Sequence, residues 1–197
     1  MKARVAMTGG VACGKSTVAE MLSRRGWRVI ETDRLAHRAY EPGTAVYQNI
    51  VDVFGEGVLN EDGSVNRALL GDIVFSNPDK LGRLNAIVHP WVRAEWRNQL
   101  DTHHRENPGQ PSIVVIPLLF ETGAEGFFDR IIGVGCPESL QRERLRSRGL
   151  DDGKIERRIG AQLPLEKKLN LTHMVIWNSG DLAFLERQVI AASELLS

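Results

Sequence analysis

Residues 9–17 read Gly-Gly-Val-Ala-Cys-Gly-Lys-Ser-Thr, and this run constrains the fold more than any other stretch of the 197-residue chain. It has the spacing of a phosphate-binding loop: Gly, four residues, Gly-Lys, then Ser or Thr. Such a loop works only between a buried strand and a helix, and both are legible around it. Residues 4–7 read as a short apolar strand, and Val18, Ala19, Met21 and Leu22 carry the spacing of one helical face. Glycines let main-chain N–H groups turn toward phosphate oxygens, and the helix N-terminus adds partial positive charge. Lys15 then reaches the outer phosphates, and the Ser16 hydroxyl is placed to coordinate Mg²⁺. Gly10, Val11, Ala12, Cys13, Gly14, Lys15, Ser16 and Thr17 are therefore the expected contacts to a nucleoside triphosphate.

The rest of the chain alternates strands and helices as a doubly wound α/β sheet requires. Apolar segments at 4–7, 27–30, 113–119, 131–134 and 174–176 predict five buried parallel strands. Between the second and third lie about eighty residues, far more than a crossover needs. They carry helical patterns at 34–39, 45–54, 67–75 and 80–99, separated by Glu41-Pro42-Gly43, Asp62-Gly63-Ser64 and Ser76-Asn77-Pro78. The expectation is a helical insertion over 32–108, suited to an acceptor subdomain, within a core of 1–31, 109–140 and 170–197. A second excursion over 141–169 is polar and arginine-rich, as a mobile lid over phosphates would be.

Charge excludes some partners. Twenty-five Lys and Arg balance twenty-five Asp and Glu, so no bulk field favours nucleic acid or an anionic membrane. No apolar run has the length of a membrane span, and the first residues read as a strand rather than a signal peptide. The two cysteines, Cys13 and Cys136, have neither metal-ligand nor disulfide-framework spacing, so a reducing, cytoplasmic setting is expected.

Ligands of an open α/β sheet bind beyond the carboxyl ends of its strands, and several chemistry-bearing residues fall there. Asp33 follows strand two. Two roles are open to it: orienting or accepting the proton of an attacking hydroxyl, or capping the next helix. Glu121 follows Pro117-Leu118-Leu119-Phe120 and is placed to hold a metal-bound water, to hold a basic partner, or simply to face solvent. Arg142, Arg144, Arg146 and Arg148 alternate along one predicted helix, 144 with 148 on one face and 142 with 146 on another. One pair is expected to clamp phosphates, with Arg158 as a further candidate. Cys13 sits at a helix N-terminus, where a thiol pKa falls; it is either a reactive thiol or a small stand-in for serine.

Taken together, these residues resemble the dephospho-coenzyme A kinase family along nearly the whole chain. The likeness rests on the phosphate loop, Asp33, Arg67, His89-Pro90, Pro117-Leu118-Leu119-Phe120-Glu121, Arg144, Arg148, Arg158, residues 162–168 and Asn178-Ser179-Gly180. It implies transfer of the ATP γ-phosphoryl group to the ribose 3′-hydroxyl of dephospho-coenzyme A. It also implies a P-loop kinase core like that of nucleoside monophosphate kinases, a five-stranded parallel sheet with a helical acceptor domain and a lid. By that resemblance Lys15, Asp33 and Arg144 are catalytic, and Arg144, Arg148 and Asn178 join the loop around ATP. Arg67, His89 and Glu121 stand with Asp33 on the acceptor side, and Mg²⁺ is the metal.

The chain departs from the family pattern at Ala12-Cys13, Thr172-His173 and Trp177. Ala12 stands where a glycine would permit positive φ, and Trp177 is placed either to stack on a base or to pack. Two other readings follow from these changes and from the loop's generality: a kinase for a different small acceptor, or a nucleotide-binding protein that has lost efficient transfer.

Overall fold

Val5, Ala6 and Met7 are almost wholly buried because the strand that they form runs through the middle of the sheet. The computed structural model describes residues 3–196 and separates into two compact units. One comprises the chain up to Glu31 and from Leu100 onward; the other is Thr32–Gln99.

The first unit holds β1 (Val5–Gly9), β2 (Arg28–Glu31), β3 (Ser112–Val115), β4 (Arg130–Gly135) and β5 (Met174–Trp177), in spatial order β2-β3-β1-β4-β5. Every pairing is parallel, so all strand carboxyl ends lie along one edge. Helix α1 (Lys15–Arg24) packs against α9 (Leu182–Leu196) on one face of the sheet. There Val18 and Leu22 meet Leu185 and Val189 over Val5, Met7, Ile113, Ile132 and Val134. Full burial of side chains this size contributes roughly 1.5–3 kcal/mol each. Helix α8 (Leu165–Asn170) packs on β1 and β4, and Leu169 fills the space that side chains at Gly133 and Gly135 would occupy.

All five strands differ from the expected bounds by at least a residue at one end, and two changes are larger. β1 continues to Gly9, and β3 ends at Val115 rather than at 119. Ile116 makes one last bond to the Met7 carbonyl, after which Pro117 has no N–H to continue a ladder. Its carbonyl instead accepts from the Thr8 hydroxyl (3.2 Å) and the Lys168 ammonium (2.8 Å).

The excursion expected over 141–169 is anchored at both ends. Helix α6 (Glu138–Arg146) begins three residues earlier, with Gln141 and Leu145 buried. Helix α7 (Asp152–Gly160) starts at an Asp151 cap whose carboxylate accepts from the Lys154 N–H, and it packs on α6. At the far end, α8 is part of the packed sheet layer and Lys168 is fully buried.

The second unit is helical. It begins with α2 (Thr32–Ala39) at the residue after β2, then α3 (Ala45–Phe54) and α4 (Arg67–Phe75). The first part of α5 (Pro78–Glu106) completes it. Its own core joins Val46, Ile50, Leu70, Val74, Leu84 and Val88. α5 is a 29-residue helix that retains Pro90 in its interior, so the predicted 80–99 segment extends at both ends. No helix among the described residues is long and apolar enough to cross a membrane.

Candidate functional site: the phosphate loop and its braces

The loop follows the central strand, and two glycines make its path possible. Gly9 lies against the β4 backbone, where a Cβ would fall 2.1 Å from the Val134 carbonyl oxygen. Gly14, at φ 97°, caps α1 in a left-handed conformation, and a Cβ there would fall 2.1 Å from Asn178 Nδ2. Ala12 takes positive φ too, at 57°, the only non-glycine to do so among the described residues. Its methyl group is buried with Leu145 and Ile155, which offsets part of the backbone strain.

Side chains engage the loop carbonyls one by one. Lys15 Nζ donates to Gly9 O (3.1 Å) and Gly10 O (2.8 Å). Arg144 donates from one guanidinium nitrogen to Ala12 O (3.1 Å) and from another to Asn178 O (3.3 Å). Asn178, buried just past β5, donates to Cys13 O (2.9 Å) while its own N–H bonds Gly135 O. Arg144 and Asn178 thus meet at the loop backbone. Ser16, in the first turn of α1, is exposed, with Lys15 and Thr17 half-buried beside it.

The other arginines separate by partner. Arg142 is held by Glu138 and Glu156, whose carboxylates raise its pKa further, and Arg146 pairs with Asp152 at 2.9 Å. These two tie α6 to α7. The expected pairing of Arg144 with Arg148 on one helical face fails because α6 ends at Arg146, leaving Arg148 exposed in the turn beyond it. Arg158 is exposed on α7.

Of the three readings open for Glu121, the basic partner is the one found. Its carboxylate accepts from Lys168 Nζ (2.8 Å) and from the Leu163 N–H (2.8 Å), fastening the turn after β3 to residues 162–168. Lys168 also donates to Gln162 Oε1 (3.3 Å). Sequence reasoning missed Lys168 because a lysine amid charged neighbours reads as solvent-facing, although it lies in the quoted 162–168 motif.

The departures at 172 and 173 serve the backbone. Thr172 Oγ1 donates to Leu169 O (2.8 Å), and His173 Nδ1 accepts from the Ile131 N–H (3.1 Å). Trp177 packs its ring on Gly135 and lines a cavity of about 710 Å³ together with Gly10, Val11, Cys136 and Leu165. Cys13 and Cys136 are both buried, with their sulfurs 3.6 Å apart. The hydrogen bond from the Cys136 thiol lowers the Cys13 pKa to about 7, helped by the Lys15 charge and opposed by burial. Donating that bond, together with burial, pushes the Cys136 thiol up.

In the helical unit Asp33 is exposed in the first turn of α2, inside the helix rather than at the expected cap before it. Arg67 opens α4, with its charge near the half-buried Tyr40 hydroxyl. His89 is half-buried on α5 and lines a cavity of about 430 Å³ with Asn85, Arg93 and Arg97. Burial first, and the Arg93 charge second, lower its pKa.

Comparison with known proteins agrees with this geometry. The family model for Dephospho-CoA kinase matches residues 3–183. A Dephospho-CoA kinase of Bacillus licheniformis is 44% identical over 187 residues, covering 94% of this chain and 92% of the relative. One from Thermosynechococcus vestitus is 42% identical over 196 residues, covering 98% and 94%. Among solved structures, the dephospho-CoA kinase of Campylobacter jejuni superposes with TM-score 0.75 at 28% identity, covering 100% of this chain and 98% of that one. A shikimate kinase from Acinetobacter baumannii shares the fold, with TM-score 0.53 at 15% identity over 99% of this chain and 93% of its own. With a phosphate loop braced from within and a family match over most of its length, this chain belongs to the dephospho-CoA kinase family.

Proposed function

We propose that this protein transfers the γ-phosphoryl group of ATP to the ribose 3′-hydroxyl of dephospho-coenzyme A, with its own residues in the following roles. The reading rests on one observation above others: the loop's carbonyls are bonded by Lys15, Arg144 and Asn178, two of them cations. That arrangement neutralises the electronegative edge of the loop from within. It offers a polyanion the amides and the helix N-terminus. The contacts to ATP are Gly10 through Thr17. Lys15 exchanges its loop carbonyls for the β- and γ-phosphates, and Arg144 and Arg148 add charge beside them. Asn178 acts from below by holding the Cys13 peptide.

The metal is Mg²⁺, held by Ser16. An exposed hydroxyl in the first helical turn fits a cation that keeps most of its shell as water and phosphate oxygens. No cluster of three or more His, Cys, Asp or Glu suited to a metal is present among the described residues, consistent with a site completed by the substrate. When bound, the ion neutralises charge on the transferring phosphate.

Asp33 orients the acceptor hydroxyl and takes its proton, an exposed carboxylate suiting a group that must reach substrate. Arg67 and His89 contact the acceptor. The basic cavity that His89 shares with Arg93 and Arg97 suits the phosphates of a nucleotide-like molecule. Glu121 works through Lys168, fixing the C-terminal end of the lid segment. The insertion, expected over 32–108 and forming a compact unit over Thr32–Gln99, is the acceptor domain. The lid of 141–169 closes from its α7 side and excludes water that would compete for the phosphoryl group. A cytoplasmic reaction is consistent with two buried free thiols.

Incubation with ATP, Mg²⁺ and dephospho-coenzyme A, followed by mass detection of coenzyme A, tests the reading directly. A panel of acceptors with coupled ADP detection sharpens it, and preference for a nucleoside monophosphate overturns it.

A further inference from the structure

Phosphoryl transfer uses the main chain of Cys13 and leaves its thiol without a task. That thiol faces Cys136, 123 residues away in sequence, across 3.6 Å, and both are buried. Cys136 follows β4 directly, behind the Gly135 pairing with Trp177, on a rigid part of the sheet. Cys13 sits in the bend of the loop. The cavity lined by Cys136, Gly10 and Val11 brings a small molecule to the Cys136 side of the pair, 3.6 Å from the Cys13 sulfur.

We propose that Cys13 and Cys136 are a reversible thiol–disulfide switch, closed by hydrogen peroxide or another small hydroperoxide, that holds the loop in a form binding nucleotide poorly. The effect on nucleotide rests on the loop reading above; formation of the disulfide does not. The chemistry balances. The Cys13 thiolate attacks one peroxide oxygen, forming an S–O bond as the O–O bond breaks, and the leaving hydroxide takes a proton to become water. The Cys136 sulfur then attacks the Cys13 sulfenic sulfur, forming S–S as S–O breaks, and a second water leaves. Two thiols lose two electrons and two protons, and hydrogen peroxide is reduced to two waters, or an organic hydroperoxide to an alcohol and one water. The lowered Cys13 pKa, set by the Cys136 hydrogen bond and the Lys15 charge, makes Cys13 the attacking sulfur.

A disulfide bond is about 2.05 Å long, so the sulfurs must close by roughly 1.5 Å. The sheet end holding Cys136 is fixed, and the loop is the part that yields. Moving Cys13 pulls its carbonyl from Asn178 and the Ala12 carbonyl from Arg144, and shifts Gly10, which has Cys13 Sγ beside its Cα. The amides then lose their aim at phosphate.

The test begins with ATP affinity of the reduced wild-type protein, which judges the loop reading alone. Peroxide is then added with and without ATP, followed by intact mass, non-reducing peptide mapping and a second affinity measurement. The expected result is a loss of about 2 Da mapped to Cys13–Cys136, slowed by ATP. ATP affinity falls at least about tenfold and dithiothreitol restores it. Cys136→Ser, which keeps a hydrogen-bond donor beside Cys13, should gain oxygen at Cys13 and lose the recovery; Cys136→Ala, which removes that donor, should also form no cross-link and should gain oxygen more slowly. Oxygen adducts on wild-type Cys13 with no cross-link overturn the proposal. So does a cross-linked protein that binds ATP as tightly as the reduced one.

Discussion

The sheet unit and the helical unit present their candidate residues in opposite ways. In the first, nine consecutive residues make the loop, and the residues that brace it come from α6 and the turn after β5, bonded to its carbonyls. In the second, Asp33, Arg67 and His89 stand on α2, α4 and α5 and depend on helix packing for their placement. A phosphate site can be built from one stretch of backbone because phosphate is read by amides. An acceptor must be read by side chains, which the chain has to gather from separate helices.

The sharpest way to break this contrast is Lys15→Ala. Its ammonium bridges two loop carbonyls and is the charge proposed to meet phosphate, so kcat should fall about 10²–10³-fold, the loss typical of one transition-state charge donor. Single-turnover assays, with a melting control for the lost carbonyl bonds, measure it. A variant within tenfold of wild type would mean the loop does not carry the chemistry.

Next in size is Lys168→Met, which tests whether the sheet unit's surroundings also depend on a single tie. The lysine side chain is fully buried while that of Glu121 is 21% exposed. Breaking the pair should destabilise the protein by about 3 kcal/mol, the low end for buried pairs because water reaches the surviving carboxylate. Urea unfolding reads this, and a change under about 1 kcal/mol would make the pair incidental.

How much of this was legible follows from the same contrast. The loop, the five parallel strands and the helical insertion were readable because each is written in contiguous residues. The end of β3 was not, since Pro117-Leu118-Leu119 continues the apolar run and only the missing proline N–H stops the ladder. The shared helical face expected for Arg144 and Arg148 was not legible, because i,i+4 logic holds only while the helix lasts. Lys168 and the Cys13–Cys136 pair were hidden for a common reason: burial and approach across the sheet are tertiary facts with no local signature. Positive φ at residue 12 was legible, since it is a backbone requirement that a glycine position announces, and Ala12 adopts it at 57°.

Asp33→Asn probes the helical unit. It removes the proposed proton acceptor while keeping size and polarity, so kcat should drop about 10²-fold with ATP affinity unchanged. Equilibrium ATP titration beside steady-state kinetics separates the two. Near-normal turnover at saturating substrates would remove Asp33 from the mechanism. In that unit acidification acts on His89 too. Its folded pKa is lowered, so the folded state resists protonation. Stability is complete above the ordinary histidine pKa of about 6.5 and declines as pH falls below it. His89→Gln should flatten that acid-side decline in urea midpoints measured from neutral to mildly acidic pH.

The smallest effect returns to the loop, at Ala12→Gly. Left-handed φ costs an L-residue roughly 1–2 kcal/mol, which glycine would relieve. Against this, glycine forfeits a buried methyl worth about 0.8 kcal/mol. It also gains unfolded-chain freedom worth about 0.4–1 kcal/mol. The terms nearly cancel, so unfolding free energy should stay within about 1 kcal/mol of wild type. ATP affinity is the more telling readout. With the loop conformation preserved by Arg144 and Asn178, it should change less than about threefold. A large gain in affinity on restoring glycine would show that the alanine distorts the amides themselves. The braces would then compensate for the strain only in folding and not in binding.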